Sequence, residues 1–222
     1  MSHTVGESLE RVLANRAQLV QQFSLPAEPL WLTQVHGTRV WTPAMARAAA
    51  ADSALGAPHI TYPEADAAVT AEPATVLSVL TADCLPVVIV SADGRYRGIA
   101  HAGWRGLVNG VLENTVAALT ALGATHLEAW FGPCIGPASF EVGAEVLAQF
   151  VNHDARAQTC FVGNARGRYL ANLPALAAQR LNPLGIAVSR CDLDTLTDAR
   201  CYSYRRQART GCMATLVWGT AG

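Results

Sequence analysis

Four short apolar runs lie between Asp66 and Ala102, and no helical segment separates them. This pattern limits the possible folds more than any other feature of the chain. The runs are DAAVT, TVLSVL, PVVIV and RGIAHA, and their length and β-branched residues predict strands. Because these strands follow one another instead of alternating with helices, we expect mixed sheets with helices on their outer faces, an α+β fold.

The flanking sequence predicts further elements on both sides of this block. Apolar periodicity predicts helices over 8–23, 107–122, 139–151 and 169–181, and strands over 127–132, 186–190, 201–205 and 212–218. Gly123 suits the position after a helix end, and Asn172 suits an N-cap. A strand, a turn and a second strand are expected over 30–41, followed by an alanine-rich excursion over 43–63. With no repeat or linker in the sequence, we expect a single domain over residues 1–222.

Composition restricts the cellular setting and the partners. Hydrophobic residues make up 51% of the chain and charged residues 15%, which supports a large buried core. The formal net charge of -1 gives no general attraction to nucleic acid or to anionic membranes. No apolar stretch has the length of a membrane span, and the N-terminus does not have the pattern of a signal peptide. We therefore expect a soluble cytoplasmic protein.

Cysteine and arginine usage narrows the chemistry further. The six cysteines have irregular spacing without a CxxC pair, so neither a zinc ribbon nor a thioredoxin-like motif is indicated. All sixteen basic residues are arginine. Since lysine is absent, an anion site in this chain must use arginine or backbone amides.

Three side chains from separate segments are candidates for a functional site. Cys84 precedes one apolar run, His101 ends the next, and His36 lies in a QVHG turn upstream. Cysteine and histidine are zinc ligands, and three protein ligands leave the fourth tetrahedral position open, as in catalytic zinc sites. A Cys-His pair is also the minimum for a thiol nucleophile. The residues alone leave three interpretations: a metal site, a nucleophile with its base, or packed core.

Three further segments have the composition of binding loops. GWRG after His101 suits a strand-to-helix turn whose amides bind an anion, and GPCIGP at 132–137 is either such a loop or a tight corner. SYRR at 203–206 carries two arginines, which fit a phosphate clamp or a solvated edge.

Taken together, these motifs resemble the YfiH-like family, also called the laccase-domain or polyphenol oxidase family, which is associated with purine nucleoside phosphorylase activity. The resemblance runs through QVHG, ADAAVT, TADCLPVVI, HAGWRG, GPCIGP, FEVG, SYRR and the closing TG-MA, in this order over nearly the whole chain. It implies a four-layer α/β/β/α sandwich with two mixed sheets. It also implies zinc ligands at His36, Cys84 and His101.

The resemblance further implies phosphorolysis of adenosine and inosine to the free base and ribose 1-phosphate. Methylthioadenosine phosphorolysis and adenosine deamination are attributed to the same site, the latter with Zn²⁺ activating water. The phosphate candidates in this lysine-free chain are Arg39, Arg105 and Arg205. Asp83, next to Cys84, is a candidate either to orient a ligand or to act as an acid or base.

Three features differ from the usual family pattern. One is the alanine-rich stretch between His36 and Asp66, which looks longer than usual and should affect a loop more than the site. Members generally begin with a segment carrying a TR-GGVS motif, and this sequence starts after it; if its arginine helps to bind phosphate, the site here is incomplete. Cys212 stands in TGCMA where the family commonly has arginine, which removes one anion contact.

Three other functions use the same residues. A cysteine hydrolase would use Cys84 as nucleophile and His101 as base, and it would not need His36. A multicopper oxidase would hold several coppers mainly through imidazoles, which six histidines barely allow, although one Cu²⁺ in place of Zn²⁺ fits the ligand types. A non-enzymatic binding domain is the third. We expect purine nucleoside and phosphate as partners and a monomer or small homo-oligomer.

Overall fold

The β-rich runs form the centre of the fold in a computed structural model, which describes residues 8–45 and 62–219. The strands are β1 (Val40–Trp41), β2 (Ala67–Thr70), β3 (Leu77–Thr81), β4 (Leu85–Ser91), β5 (Arg97–Ala102), β6 (Leu127–Phe131), β7 (Glu141–Val142), β8 (Phe161–Gly163), β9 (Tyr169–Ala171), β10 (Ala187–Arg190) and β11 (Met213–Val217). The α-helices are α1 (Leu9–Gln22), α2 (Trp104–Val108), α3 (Val111–Ala121), α4 (Ala144–His153) and α5 (Leu173–Leu181). Ala155–Cys160 and Asn182–Leu184 are 3₁₀ helices.

The described strands form one large sheet and two small ones. The large sheet has six strands in the order β1-β2-β5-β4-β6-β10, and it is mixed because β1–β2 and β6–β10 are parallel while the other pairs are antiparallel. β3 and β11 form an antiparallel ribbon, and β7, β9 and β8 form a small antiparallel sheet. The predicted α+β class is confirmed, with a six-stranded mixed sheet accompanied by two smaller antiparallel sheets.

The central strands are buried on both faces, which explains their continuous apolar sequence. Along β5, Ala100 and Ala102 belong to the core that includes the helices, whereas Ile99 belongs to a second core beneath the β3–β11 ribbon. Gly98 lies on the helix side, where an added Cβ would come within 3.1 Å of Leu119 Cδ1. A glycine there lets α3 pack closely on the sheet.

Helix boundaries differ from the predictions at glycines. The helix predicted over 107–122 starts earlier and is interrupted at Gly110, whose φ of 97° is left-handed, so α2 and α3 are separate helices. Gly123 follows α3 with a φ of 102°, as predicted. The helix predicted over 139–151 begins only after Gly143, because Glu141–Val142 pair as β7 with β9.

Two other predicted segments change type. The helix predicted over 169–181 is shortened because Tyr169–Ala171 pair as β9, and Asn172 then caps α5 by accepting a hydrogen bond from the Ala175 amide, as predicted. The strand predicted over 201–205 is wrong. This segment turns instead, with the Arg206 amide donating to Ser203 Oγ and the Gln207 amide donating to the Ser203 carbonyl.

Two further predictions concern the alanine-rich segment and membrane spans. The alanine-rich excursion over 43–63 lies mostly outside the described residues. Within 8–45 and 62–219, no helix is both long and apolar enough to cross a membrane.

Candidate metal centre and cleft

The three candidate ligands converge at one end of the large sheet. Cys84 directly precedes β4, and His101 lies on β5 opposite Pro86, two positions along β4 from Cys84. His36 comes from the loop before β1. The Cys84 Sγ and His36 Nε2 atoms are 3.8 Å apart, and the rings of His36 and His101 meet edge to face with centroids 4.7 Å apart.

The donor set fits a tetrahedral metal ion. One ligand atom from each of His36, Cys84 and His101 lies within 4.8 Å of the others. In a zinc site with nitrogen and sulfur ligands, bond lengths of 2.0–2.3 Å place ligand atoms roughly 3.3–3.8 Å apart. Small side-chain adjustments would bring these atoms to that spacing, and three ligands leave one position for substrate or water.

Asp66 organises this centre, and the sequence did not single it out as a site residue. Its buried carboxylate lies 2.8 Å from His101 Nδ1, and it accepts hydrogen bonds from the amides of Val35, His36 and Gly37 at 3.1, 2.9 and 2.7 Å. Because a carboxylate accepts, Nδ1 of His101 donates and Nε2 is left as its ligand atom. One carboxylate therefore fixes the His101 ring and the backbone of the loop that carries His36. The only sequence signal is an acidic residue at the start of a fully apolar strand.

The same contacts set the protonation of the centre. Burial raises the pKa of Asp66, but its hydrogen bonds from His101 and the Gly37 amide outweigh this and lower it. Burial lowers the pKa of His101, yet its contacts with Asp66 and Cys84 raise it to about 9. Burial raises the pKa of Cys84, while both histidines bring it down to about 6. A thiolate, the form that binds metal, and a protonated His101 are thus favoured together at neutral pH, and a metal ion bound here would displace the proton from His101 Nε2.

The glycines of HAGWRG let this segment pack against the ligands. A Cβ at Gly103 would lie 2.9 Å from Cys84 Sγ and 3.0 Å from His36 Cδ2. A Cβ at Gly106 would lie 2.8 Å from the Gly37 carbonyl oxygen, which is backbone and cannot move aside cheaply. The GWRG motif is therefore required for close approach to the QVHG loop.

We predict that Gly103→Ala weakens metal binding about tenfold or more, because its methyl group displaces two of the three ligand side chains. Competition with a zinc chelator measures this affinity. Gly163→Ala is the matched control, since its nearest neighbour, Tyr169 Cε1, would be 3.8 Å away. An unchanged affinity in Gly103→Ala would contradict the proposed closeness of the ligands.

The centre opens into a large cleft of about 1270 Å³. Of the three predicted phosphate arginines, Arg105 and Arg205 line the cleft. Arg39 is exposed and is not one of the residues that line it. Arg209, which the sequence did not single out, lines it as well. Trp104, Phe140 and the 63%-exposed Tyr204 add aromatic surface.

The cleft arginines are held in place by aromatic rings and backbone. The guanidinium of Arg105 lies 4.7 Å from the Trp104 ring centroid. That of Arg205 lies 5.7 Å from the Phe140 ring centroid and donates through Nη1 to the Glu141 carbonyl at 3.0 Å. The neighbouring Arg206 donates to backbone carbonyls of the 195–201 segment, so SYRR supplies the cleft with a single arginine rather than a clamp.

Asp83 has both carboxylate oxygens occupied. Oδ1 accepts from Thr195 Oγ1 at 2.6 Å, and Oδ2 accepts from the Arg205 amide at 2.7 Å. Both oxygens are therefore already engaged as acceptors inside the protein. Of the two roles predicted for Asp83, this arrangement favours orientation over proton transfer.

GPCIGP forms a tight corner. A Cβ at Gly136 would lie 2.5 Å from Asp194 Oδ2, and the Gly136 amide already donates to that carboxylate. Cys134 is buried, and burial together with the charge of Asp194 raises its pKa to about 12. Its thiol is a packing group.

Several known proteins are similar in sequence to this chain over almost its full length. Residues 1–220 match the family model described as multi-copper polyphenol oxidoreductase laccase. A purine nucleoside phosphorylase of Xylella fastidiosa is 42% identical over 221 residues, covering 98% of this chain and 82% of the relative. The Escherichia coli purine nucleoside phosphorylase YfiH is 40% identical over 215 residues, covering 96% of this chain and 83% of that protein.

A crystal structure gives the same result for the fold. The Neisseria meningitidis protein NMB0706 is 36% identical and superposes with a TM-score of 0.84, covering 99% of this chain and 86% of that one. The chain therefore belongs to the multi-copper polyphenol oxidoreductase laccase family, the YfiH-like family indicated by its motifs.

Proposed function

We propose that this protein is a purine nucleoside phosphorylase that acts on adenosine, inosine and methylthioadenosine. The observation that carries the proposal is the position of His36, Cys84 and His101, with an open coordination position, in the same cleft as Arg105 and Arg205. The names of the Xylella and Escherichia relatives support this activity.

The chemistry needs an anion site and a place for the nucleoside. An oxygen of HPO₄²⁻ forms a bond to the anomeric carbon, and the bond from that carbon to the purine nitrogen breaks. The proton of the phosphate ends on the released base, so ribose 1-phosphate and neutral hypoxanthine result from inosine. Arg105 and Arg205 supply the cationic donors for phosphate. Trp104 and Tyr204 offer ring faces for the purine.

Zn²⁺ is the metal we assign to His36, Cys84 and His101, with Cu²⁺ as the other ion that suits these ligands. When bound, the ion supplies a Lewis acid at the cleft wall. Asp66 accepts a hydrogen bond from His101 Nδ1 and thereby keeps His101 Nε2 directed at the metal position. Deamination of adenosine, in which water adds at C6 and ammonia leaves, is the second activity we assign to the same cleft.

Inosine assayed with and without phosphate tests the phosphorylase activity. We expect hypoxanthine and ribose 1-phosphate from the zinc-loaded protein only when phosphate is present. Cys160→Ala serves as a control that changes a buried thiol outside the cleft. Phosphate-independent release of free ribose would indicate a hydrolase instead, and absence of any turnover in fully loaded protein would favour a binding domain.

A cysteine hydrolase is the second candidate, because Asp66, His101 and Cys84 form a carboxylate–imidazole–thiol series. This mechanism does not use His36. Zinc content of the purified wild type and of His36→Ala separates the two, since a wild type without bound metal would exclude the zinc site.

Polyphenol oxidation through several coppers has little support from the described residues. Only one group of three or more His, Cys, Asp or Glu side chains within 8–45 and 62–219 is arranged to hold a metal ion. The name of the family model therefore gives no reason to assign several coppers to this chain.

A further inference from the structure

Asp83 lies between the metal ligand Cys84 and the turn that carries Arg205. We propose that Asp83 is a positioning residue that holds the phosphate-binding arginine at a fixed distance from the metal centre. The inference rests on the proposed function for the identity of the anion. It assigns Asp83 no contact with substrate.

The carboxylate of Asp83 joins two segments that are far apart in sequence. It is 9% exposed, and its donor Thr195 is fully buried. The bond from Thr195 Oγ1 fixes one oxygen, which leaves the other directed at the Arg205 amide. Because these groups are largely removed from water, leaving one of them without its partner would be costly.

The turn around Arg205 has anchors on both sides of that residue. Ser203 is buried and accepts from the amides of Arg206 and Gln207, and the Arg206 side chain is fixed on backbone carbonyls. Asp83 supplies the bond at Arg205 itself. The backbone of this arginine is therefore set by Asp83, while its guanidinium extends along the cleft wall beside Phe140.

The backbone of Asp83 is fixed as firmly as its side chain. Its φ of 90° is left-handed, which side-chain-bearing residues rarely adopt, and its carbonyl accepts from the Ile135 amide at 2.9 Å. Cys84 follows directly. A constrained residue that is bonded to the arginine turn on one side and covalently linked to the thiol on the other couples the two positions.

Asp83→Asn tests this coupling. Asparagine tolerates the left-handed conformation but offers a single amide oxygen, a weaker acceptor than a carboxylate oxygen. If this oxygen faces Thr195 Oγ1, the Arg205 amide meets an NH₂ group and loses its acceptor; if it faces the amide, that hydrogen bond is weakened and Thr195 must turn to accept. We expect the KM for phosphate to rise about tenfold, with the KM for inosine and the zinc content within about twofold of wild type. Titration calorimetry with inorganic phosphate should show the same loss of affinity without turnover.

Asp194→Asn is the matched control, because Asp194 also accepts from a hydroxyl, Ser139 Oγ, and from an amide, Leu196 N, but does not contact Arg205. Thr195→Val is the second variant if Asp83→Asn does not fold. It leaves the Arg205 bond but frees the carboxylate to rotate, and a rise of about threefold in the phosphate KM is expected.

The outcomes separate the two proposals. A wild type that binds no phosphate and releases no base would overturn the proposed function. A wild type that binds phosphate with the same affinity as the folded variants would overturn the positioning role alone. Equal losses in phosphate affinity, inosine KM and zinc content would also overturn it, since they would show a general structural effect.

Discussion

Cys84→Ala is expected to lose its metal ion and its phosphorolysis together. The thiolate is one of three ligands, and the two remaining imidazoles cannot hold Zn²⁺ in a defined geometry. Removing one ligand should lower zinc affinity by at least about a hundredfold, because a complete zinc site stabilises the bound ion by about 10–16 kcal/mol shared among its ligands. Metal analysis after dialysis against a chelator, together with hypoxanthine release, measures both effects.

His36→Ala distinguishes the metal centre from a thiol nucleophile in the same experiment. In a metal centre, removing His36 should cost about as much affinity as removing Cys84, whereas a Cys84–His101 dyad would retain its chemistry. Cys160→Ala is the matched cysteine control, since that thiol is buried in the core and does not line the cleft. Activity that survives in His36→Ala but not in Cys84→Ala would contradict the metal-dependent mechanism.

The chemistry-bearing side chains could be found in the sequence because their types are unusual in apolar strands. A cysteine before one buried run and a histidine at the end of the next are local signals, and the antiparallel pairing of β4 and β5 then brings them together. The strands from Asp66 to Ala102 could be predicted for a different reason, because each is a short and mostly apolar run and no helical segment separates them.

Long-range contacts explain what the sequence left undetermined. Asp66 reads as one acidic residue before a strand, and its contacts with His36 and His101 depend on β2 lying beside β5. The 201–205 segment has the aromatic residues of a strand, yet a buried serine and an arginine fixed on carbonyls make it a turn. Arg39 was a phosphate candidate from the sequence and Arg209 was not, yet the fold places Arg209 and not Arg39 among the residues that line the cleft.

Asp66→Asn is expected to have the second largest effect, and it acts on binding and stability at once. The carboxylate accepts four hydrogen bonds at a position with 0% exposure. An amide offers one oxygen to these donors and turns an NH₂ group toward the others, so buried N–H groups lose their partners. We expect the free energy of unfolding to fall by about 2–4 kcal/mol, measured by urea denaturation.

The same substitution should reduce zinc affinity about 10- to 100-fold, because His101 loses the partner that keeps its Nδ1 protonated and its Nε2 free for the metal. This second readout separates an orienting role from a purely structural one. Asp194→Asn, which removes another carboxylate that accepts hydrogen bonds, should lose stability and keep its zinc. If Asp66→Asn behaved like Asp194→Asn, with lower stability and unchanged zinc affinity, the ligand histidines would be oriented by packing alone and Asp66 would act only as an anchor for the 35–37 loop.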